Sequence, residues 1–262
     1  MHKTTLGDIK KILNNIPINT TEPLVFVHSS LFPFGIIENG VSGICQTLID
    51  WIGPNGTLMM PTFTFKKHEC WHQQNTPSET GILTEYFRKL PGARRTIHPI
   101  HSVAVYGKQA EYLSSEIDSS SFGEKSIFAK IFKLKATNIS LGTEFEGGAT
   151  YLHYIEELFK VPYRDYIEIN TKVLDSKSFE IDKSFTYFAR IKKENFEWDN
   201  NWSIVLKDLI SRNLINLHKV GPAKIMHSNM HETGLFFLNQ LSKNPLYCAI
   251  NTEFDSCKNN SI

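Results

Sequence analysis

Between Leu24 and Phe65 the chain runs from an apolar stretch through an amphipathic segment and a turn into a second apolar stretch, and that order leaves few folds open. Leu24–Leu31 reads LVFVHSSL, the continuous apolar run of a strand buried on both faces, ended by His28, Ser29 and Ser30. In 41–52, Val41, Ile44, Cys45, Leu48, Ile49 and Ile52 recur at helical spacing. Gly53-Pro54-Asn55-Gly56 is a strong turn signal, and Thr57–Phe65 returns as a strand. A strand, a helical crossover and a second strand form a βαβ unit, whose two strands pair in parallel. Proteins built from such units bind ligands beyond the C-terminal ends of their strands, where this chain offers an imidazole and two hydroxyls.

The remaining elements follow from the same signals. Thr5–Asp8 resembles a capping box, and Ile9, Ile12, Leu13 and Ile16 share one face of a helix over about 5–15. Thr80 stands before a helix Ile82–Leu90 that Pro91-Gly92 ends. A strand at 102–106, a helix near 108–115 and a strand Asn138–Leu141 come next. From 171 to 199, period-two stretches such as Phe185–Ile191 predict antiparallel strands, and the range 171–215 reads as an insertion. Trp202–Arg212 is helical in pattern, Ile215–Val220 a strand and Ser228–Leu241 a helix, while the tail Asn251–Ile262 is polar. No linker argues for a domain cut, so 1–262 reads as a single domain.

With 262 residues and a net charge of +1, the chain has no basic tract for nucleic acid. No apolar run approaches the ~18 residues of a membrane span, and the first residues lack the apolar core of a secretory signal. Cys45, Cys70, Cys248 and Cys257 are scattered, as reduced thiols are. A soluble cytoplasmic protein is expected. Oligomeric state is not encoded legibly, and a homodimer stays open.

Gly142–Glu157, GTEFEGGATYLHYIEE, reads as a Gly-rich loop feeding a helix that opens near Thr150. Positions three apart share a helix face, so His153 and Glu156 stand side by side. A carboxylate beside a histidine fixes its tautomer, as a general base requires. An acidic first turn beside a half-buried histidine would give the same pattern without chemistry. Arg94–Gly107, RRTIHPIHSVAVYG, adds two arginines and two histidines before an apolar strand. His101 has no evident partner in its neighbourhood.

Taken together, VHSSL at 27–31, GPNGTLMMPTF at 53–63, TPSETGILTEYFRKLPGARRTIHPIHSVAVYG at 76–107, FGEKSIF at 122–128, LGTEFEGGATYLHYIEE at 141–157 and VGPAKIMHSNM at 220–230 resemble the aminoglycoside 3-N-acetyltransferase family. The resemblance is weakest between about 171 and 215. It implies an α/β fold, three-layer α/β/α around a central mixed, largely parallel sheet, with a smaller antiparallel insertion. It implies acyl transfer from an acyl-coenzyme A to a sugar amine, without a metal. It carries over His153 and Glu156 as the active-site pair, and sets His28, Ser29, Ser30 and Leu31, with Arg94, Arg95, His98 and Ser102, along the coenzyme A site. Forked guanidinium groups suit phosphates. Hydroxyls of Thr150, Ser29 and Ser30 and the backbone N–H groups of Gly147-Gly148 are the expected oxyanion donors. No cysteine falls in a matched motif, so direct transfer in a ternary complex is expected over an acyl-cysteine.

The family's aromatic–Asp–Pro run before TPS is replaced here by Trp71-His72-Gln73, and Lys66-Lys67-His68 lies close by. Loss of an acid and gain of bases predict an acceptor with negative charge, a dTDP- or UDP-linked amino-deoxysugar of surface polysaccharide synthesis, with an aminoglycoside antibiotic as the alternative. The aromatics Phe32, Phe34, Phe63, Phe65, Trp71 and Tyr163 could stack on a base or simply pack. Two other classes compete. His68, Cys70 and His72 alternate as ligands of a zinc site would, and a binding protein could keep the fold without turnover.

Overall fold

A computed structural model describes residues 2–194 and 196–253. The chain opens with a two-residue strand, β1 (Lys3–Thr4), and helix α1 (Leu6–Leu13). Thr5 and Asp8 form the expected capping box: Asp8 N–H donates to Thr5 Oγ1 at 3.1 Å, and Thr5 N–H to Asp8 Oδ2 at 3.3 Å. The βαβ unit follows as β2 (Leu24–Ser29), helix α2 (Gly40–Ile52) and β4 (Thr57–Pro61), with a short β3 (Ile36–Ile37) before α2 that pairs with β1. β2 and β4 pair in parallel, as the crossover requires. Gly53, with φ of 69°, ends α2 in a conformation open chiefly to glycine.

Next come β5 (Cys70–His72), α3 (Ile82–Phe87), β6 (Arg94–Arg95), β7 (Val103–Gly107), α4 (Ala110–Ser114), α5 (Ile127–Lys133) and β8 (Thr137–Leu141). A single turn, α6 (Phe145–Gly148), precedes α7 (Leu152–Phe159), so the helix bearing His153 starts two residues later than expected and Thr150 lies in the turn before it. The C-terminal part contains β9 (Arg164–Ile169), β10 (Lys172–Leu174), β11 (Phe185–Arg190), β12 (Phe196–Asn200), α8 (Trp202–Ser211), β13 (Ile215–Val220), β14 (Ala223–Asn229), α9 (Met230–Lys243) and β15 (Ala249–Glu253). Asn251 to Glu253 are therefore strand rather than tail; 254–262, with Cys257, lie outside the described residues.

Seven strands form one mixed sheet in the order β13-β14-β8-β2-β4-β7-β6. The expectation of a largely parallel sheet does not hold. Only β8/β2 and β2/β4 are parallel, while β13/β14, β14/β8, β4/β7 and β6/β7 are antiparallel. The two-residue turn Gly221-Pro222 can only join antiparallel strands. Ser228 belongs to β14, and α9 starts at Met230 with Asn229 as its cap.

Alternate residues of the central strands enter different cores. Phe26, Met59, Val103 and Val105 pack with apolar residues of α5, α7, α8 and α9, while Val25, Val27, Leu58, Met60 and Ala104 pack with those of α1, α2 and α3. Each fully buried Val, Leu, Met or Phe among them contributes about 1.5–3 kcal/mol relative to an exposed one. The antiparallel pairs expected after 171 find partners outside that range: β11 pairs with β9 and β12 with β15, while β10 pairs in parallel with β5. α8 buries Val205 and Leu209 in the main core, so 202–211 is part of the body and not of an insertion.

Candidate active site

β2 and β8 run side by side and in the same direction, so Ser29-Ser30 and the Gly142 turn end together. Gly142 has φ of 73°, and a Cβ there would stand 2.3 Å from the Ser30 carbonyl oxygen, so glycine is required for the approach. The turn leads into α6 and α7 and brings His153 over the strand ends. A cleft of about 680 Å³ opens there, with His28, Ser29, Ser30, Leu31, Thr150 and His153 among its lining. A second cleft, of about 520 Å³, is lined by Arg164, Arg190, Asn200 and Trp202 among others. Phe65, His101 and His153 line both. His153 thus stands where two clefts meet.

The Glu156 carboxylate is fully buried and heavily bonded. Oε2 meets His153 Nδ1 in a short contact and pairs with Arg164 Nε at 3.0 Å. Oε1 accepts from Tyr163 Oη at 2.7 Å and Asn200 Nδ2 at 2.6 Å. Arg164 is itself fixed, donating to the Phe188 carbonyl at 3.0 Å and Asn200 Oδ1 at 2.7 Å. Burial opposes ionisation of Glu156, but Arg164, His153 and the Tyr163 hydroxyl outweigh it and hold the carboxyl down to about 2. The anion therefore accepts the Nδ1 proton of a neutral His153, leaving the Nε2 lone pair outward. Nε2 has no partner among the described residues. Burial, helped by Arg164 and opposed by Glu156, lowers the pKa of His153, so the ring is neutral at pH 7. Such a ring can take a proton from a group in either cleft.

Not all the expected residues gather here. The side chains of Ser29, Ser30 and Thr150 reach the first cleft without partners among the described residues. His28 lines it from a buried position, edge-on to Phe26 at 4.7 Å, and burial pushes its pKa down to about 3. Arg95 is not available to a phosphate. Its guanidinium is buried and donates to Ser102 Oγ at 2.9 Å and to the carbonyls of Thr76 and Thr62 at 2.6 Å each, over the Trp71 ring. Backbone carbonyls satisfy the fork that the sequence offers to phosphate, and Ser102 is buried in the same network. Arg94 is exposed in a separate groove, 3.6 Å from Glu111. His98 is buried and bonded to the Thr186 carbonyl at 3.2 Å. None of Arg94, Arg95, His98 and Ser102 lines the cleft of His28–Leu31.

Other residues do reach the site. His101 lines both clefts and bonds through Nδ1 to Ser121 Oγ at 2.7 Å. Phe122 lies between the two imidazoles, 4.9 Å from the His101 ring and 5.4 Å from His153. Tyr163-Arg164, a phenol and a guanidinium just beyond α7, was the available signal for the Glu156 pocket; Asn200 carried none. Cys248 lies behind Glu156, Sγ to Oε1 3.9 Å, and burial beside that anion pushes the thiol up to about 11. The zinc reading loses its ligand set: His72 Nδ1 accepts from the backbone of Gln74 and Asn75, and Nε2 meets Ser178 Oγ at 3.0 Å. Among the described residues no group of three or more ligands could hold a metal ion, and no helix is long and apolar enough to cross a membrane.

A mixed α/β sheet with a histidine–carboxylate pair over its strand ends defines the class, and comparison gives the family. The chain belongs to the aminoglycoside 3-N-acetyltransferase family, whose model matches residues 26–238. It is 30% identical over 143 residues to aminoglycoside N(3)-acetyltransferase IV of Salmonella sp, covering 53% of this chain and 54% of the relative. It is 26% identical over 175 residues to the SPbeta prophage-derived aminoglycoside N(3')-acetyltransferase-like protein YokD of Bacillus subtilis, covering 57% and 63%. The matches thus span little more than half of these relatives. Among solved structures, aminoglycoside acetyltransferase AAC(3)-Xa superposes with a TM-score of 0.80 at 18% identity, covering 92% of this chain and 93% of that one. AAC-IIIb, a binary complex with CoASH, gives 0.79 at 18%, covering 92% and 97%. These likenesses show the fold.

Proposed function

We propose that the chain is an N-acyltransferase that moves an acyl group from acyl-coenzyme A to the amine of an amino sugar, as one catalytic domain in the three-layer arrangement implied by its family. The carrying observation is the His153 imidazole at the meeting of two clefts, with Nδ1 tied to a buried carboxylate and Nε2 open. The thioester occupies the first cleft, beside Ser29, Ser30 and Thr150, and the acceptor the second. The amine nitrogen attacks the thioester carbonyl as His153 Nε2 takes its proton. Collapse of the tetrahedral intermediate expels the coenzyme A thiolate, which recovers that proton. A positioned base contributes about 10²–10⁴-fold. No acyl-cysteine is invoked, since the Cys248 thiol is buried and held protonated.

The acceptor favoured by the comparisons is an aminoglycoside. AAC(3)-IVa structures hold apramycin or a gentamicin, AAC-VIa holds sisomicin, and the curated relatives are aminoglycoside acetyltransferases. This sets aside the nucleotide-linked sugar as the first choice. One observation keeps it as a second reading. A cavity of about 270 Å³, lined by Lys66, Lys67 and His68 against the one carboxylate of Glu168, adjoins the second cleft through Phe65, Ile100, Ile167 and Tyr187. That basic end suits a diphosphate better than a polycation.

Turnover of gentamicin-type antibiotics against dTDP- and UDP-amino sugars, with several acyl-coenzyme A donors, tests the assignment. His153→Ala should lower kcat at least about a hundredfold, with coenzyme A affinity by calorimetry unchanged. Near-normal turnover in that variant would remove the proposed base.

A further inference from the structure

His101 faces the same junction as His153, and its proton can be placed by following the bonds behind it. Two backbone N–H groups, of Ile100 at 3.2 Å and of His101 at 3.0 Å, donate to His98 Nδ1. A backbone N–H only donates, so His98 Nδ1 is a lone pair and the His98 proton is on Nε2. From there it is shared between the Thr186 carbonyl and Ser121 Oγ, each at 3.2 Å. Ser121 is buried, and its hydroxyl has two ring nitrogens as side-chain partners among the described residues. One of them donates to it. Its own proton must then go to the other, His101 Nδ1 at 2.7 Å, since a buried hydroxyl proton left unpaired costs about 1–3 kcal/mol. His101 Nδ1 is therefore an acceptor, and the neutral ring carries its proton on Nε2. That nitrogen has no partner among the described residues, and the ring lines both clefts. Phe63 edge-on at 5.0 Å and Phe122 at 4.9 Å hold the ring in place.

We propose that His101 is a second catalytic histidine, whose Nε2–H donates to the oxyanion of the tetrahedral intermediate while His153 Nε2 receives the amine proton. The role rests on the acyltransfer reading above. As the amine nitrogen bonds to the carbonyl carbon, the carbonyl π pair moves onto oxygen, where the His101 N–H holds it. The pair returns as the C–S bond breaks, and the His153 proton leaves with the thiolate, giving the amide and free coenzyme A. The two imidazoles are neutral but of opposite polarity, one open as a lone pair and one as an N–H. Serine and threonine hydroxyls at the cleft must rotate to meet an oxyanion, whereas the His101 donor is aimed beforehand by the Thr186–His98–Ser121 chain, and preorganisation is what makes such donors effective. His98 and Ser121 are positioning residues.

The test combines kinetics with the tautomer itself. His101→Ala should lower kcat by about 10²–10³, with KM for acyl-coenzyme A within threefold and the acid limb of the pH profile unmoved. His101→Gln, which can present an amide N–H, should recover at least tenfold over the alanine variant. In the ¹⁵N-histidine spectrum of the wild-type protein, the His101 resonances, assigned by their loss in His101→Gln, should show Nε2 protonated and Nδ1 bare. An alanine variant that binds coenzyme A and keeps kcat within threefold would overturn the role, as would an Nδ1–H tautomer at His101. If the variants do not fold, the wild-type tautomer still decides, assigned by through-bond correlation. Wild-type inactivity on every amine would defeat the acyltransfer reading and this role with it, yet leave the tautomer standing, so the two failures are distinguishable.

Discussion

Glu156 is the residue on which most of the site converges, because it is a carboxylate with no access to water that must stay charged. Tyr163, Asn200 and His153 each spend a donor on it, and Arg164 pairs with it through its charge. Changing Glu156→Gln removes the anion and keeps the shape. The carboxylate raises the pKa of His153 and Arg164 lowers it, so losing the carboxylate alone moves that pKa further down. The acid limb of kcat/KM, already below the ordinary 6.5 of histidine, should shift to lower pH. The plateau should fall by about 10²–10⁴ as tautomer and basicity are lost. A limb that moves up would contradict the assignment of charge. The His153–Glu156 pair was legible in the sequence because both members lie on one helix, three positions apart. Of its supporting groups only Tyr163-Arg164 lies near enough in the chain to signal, since Asn200 and Cys248 come from 44 and 92 positions away. Arg95 was misread for a different reason. Five N–H donors in a fork suit phosphate oxygens and backbone carbonyls alike, and only burial separates the two uses. His101 lacked a partner in its local sequence because Ser121 is 20 positions away.

At the level of elements, the loop that feeds the catalytic helix is more constrained than its glycines alone declare. A Cβ on Gly148 would stand 2.0 Å from Ser140 Oγ of β8 and 3.3 Å from its Cβ, which no rotation of the hydroxyl relieves, and the Gly148 carbonyl accepts from Asn138 Nδ2 at 3.1 Å. α6 therefore lies flat on the strand, and its position sets where α7 begins. Gly148→Ala should cost about 1–3 kcal/mol, the usual range for overpacking, visible as a lowered urea midpoint. It should also reduce kcat by shifting the His153 helix. An alanine variant as stable as the parent would mean that α6 is free to lift from β8. The βαβ unit was readable because apolar spacing and the GPNG turn are local signals. Strand direction was not, since alternation reports that a strand exists and not which way it runs. β14 was hidden because AKIMHSN passes into α9 without glycine or proline, the boundary being set by the Asn229 side chain, which accepts from the N–H groups of His231 and Glu232.

For the molecule as a whole, the arrangement that keeps its imidazoles neutral ties activity to a narrow range of acidity. Burial lowers the pKa of His28 to about 3 and of His98 and His227 to about 4, and drives those of His101 and His153 down as well. In the unfolded chain these rings titrate near 6.5. Below that pH the unfolded state binds more protons than the folded one, so their contribution is present above 6.5 and is lost as pH falls towards the folded values. Each ring adds a slope of about 1.4 kcal/mol per pH unit once the unfolded form is charged. Glu156, with its pKa depressed, adds to the same trend below its unfolded value of 4.5. Denaturant midpoints measured from pH 7.5 to pH 5 should therefore fall steeply, and His227→Gln, remote from the clefts, should flatten the curve by the share of one ring. A midpoint constant between pH 7 and 5 would mean that the rings are wetter and more basic than their packing implies. His28, His101 and His153 line the first cleft, so the same desolvation that holds a base and a donor ready at neutral pH makes the fold itself acid-labile. Below the limb that His153 sets, unfolding should therefore impose a second and lower limit, at which the remaining turnover and the tertiary signal are lost together.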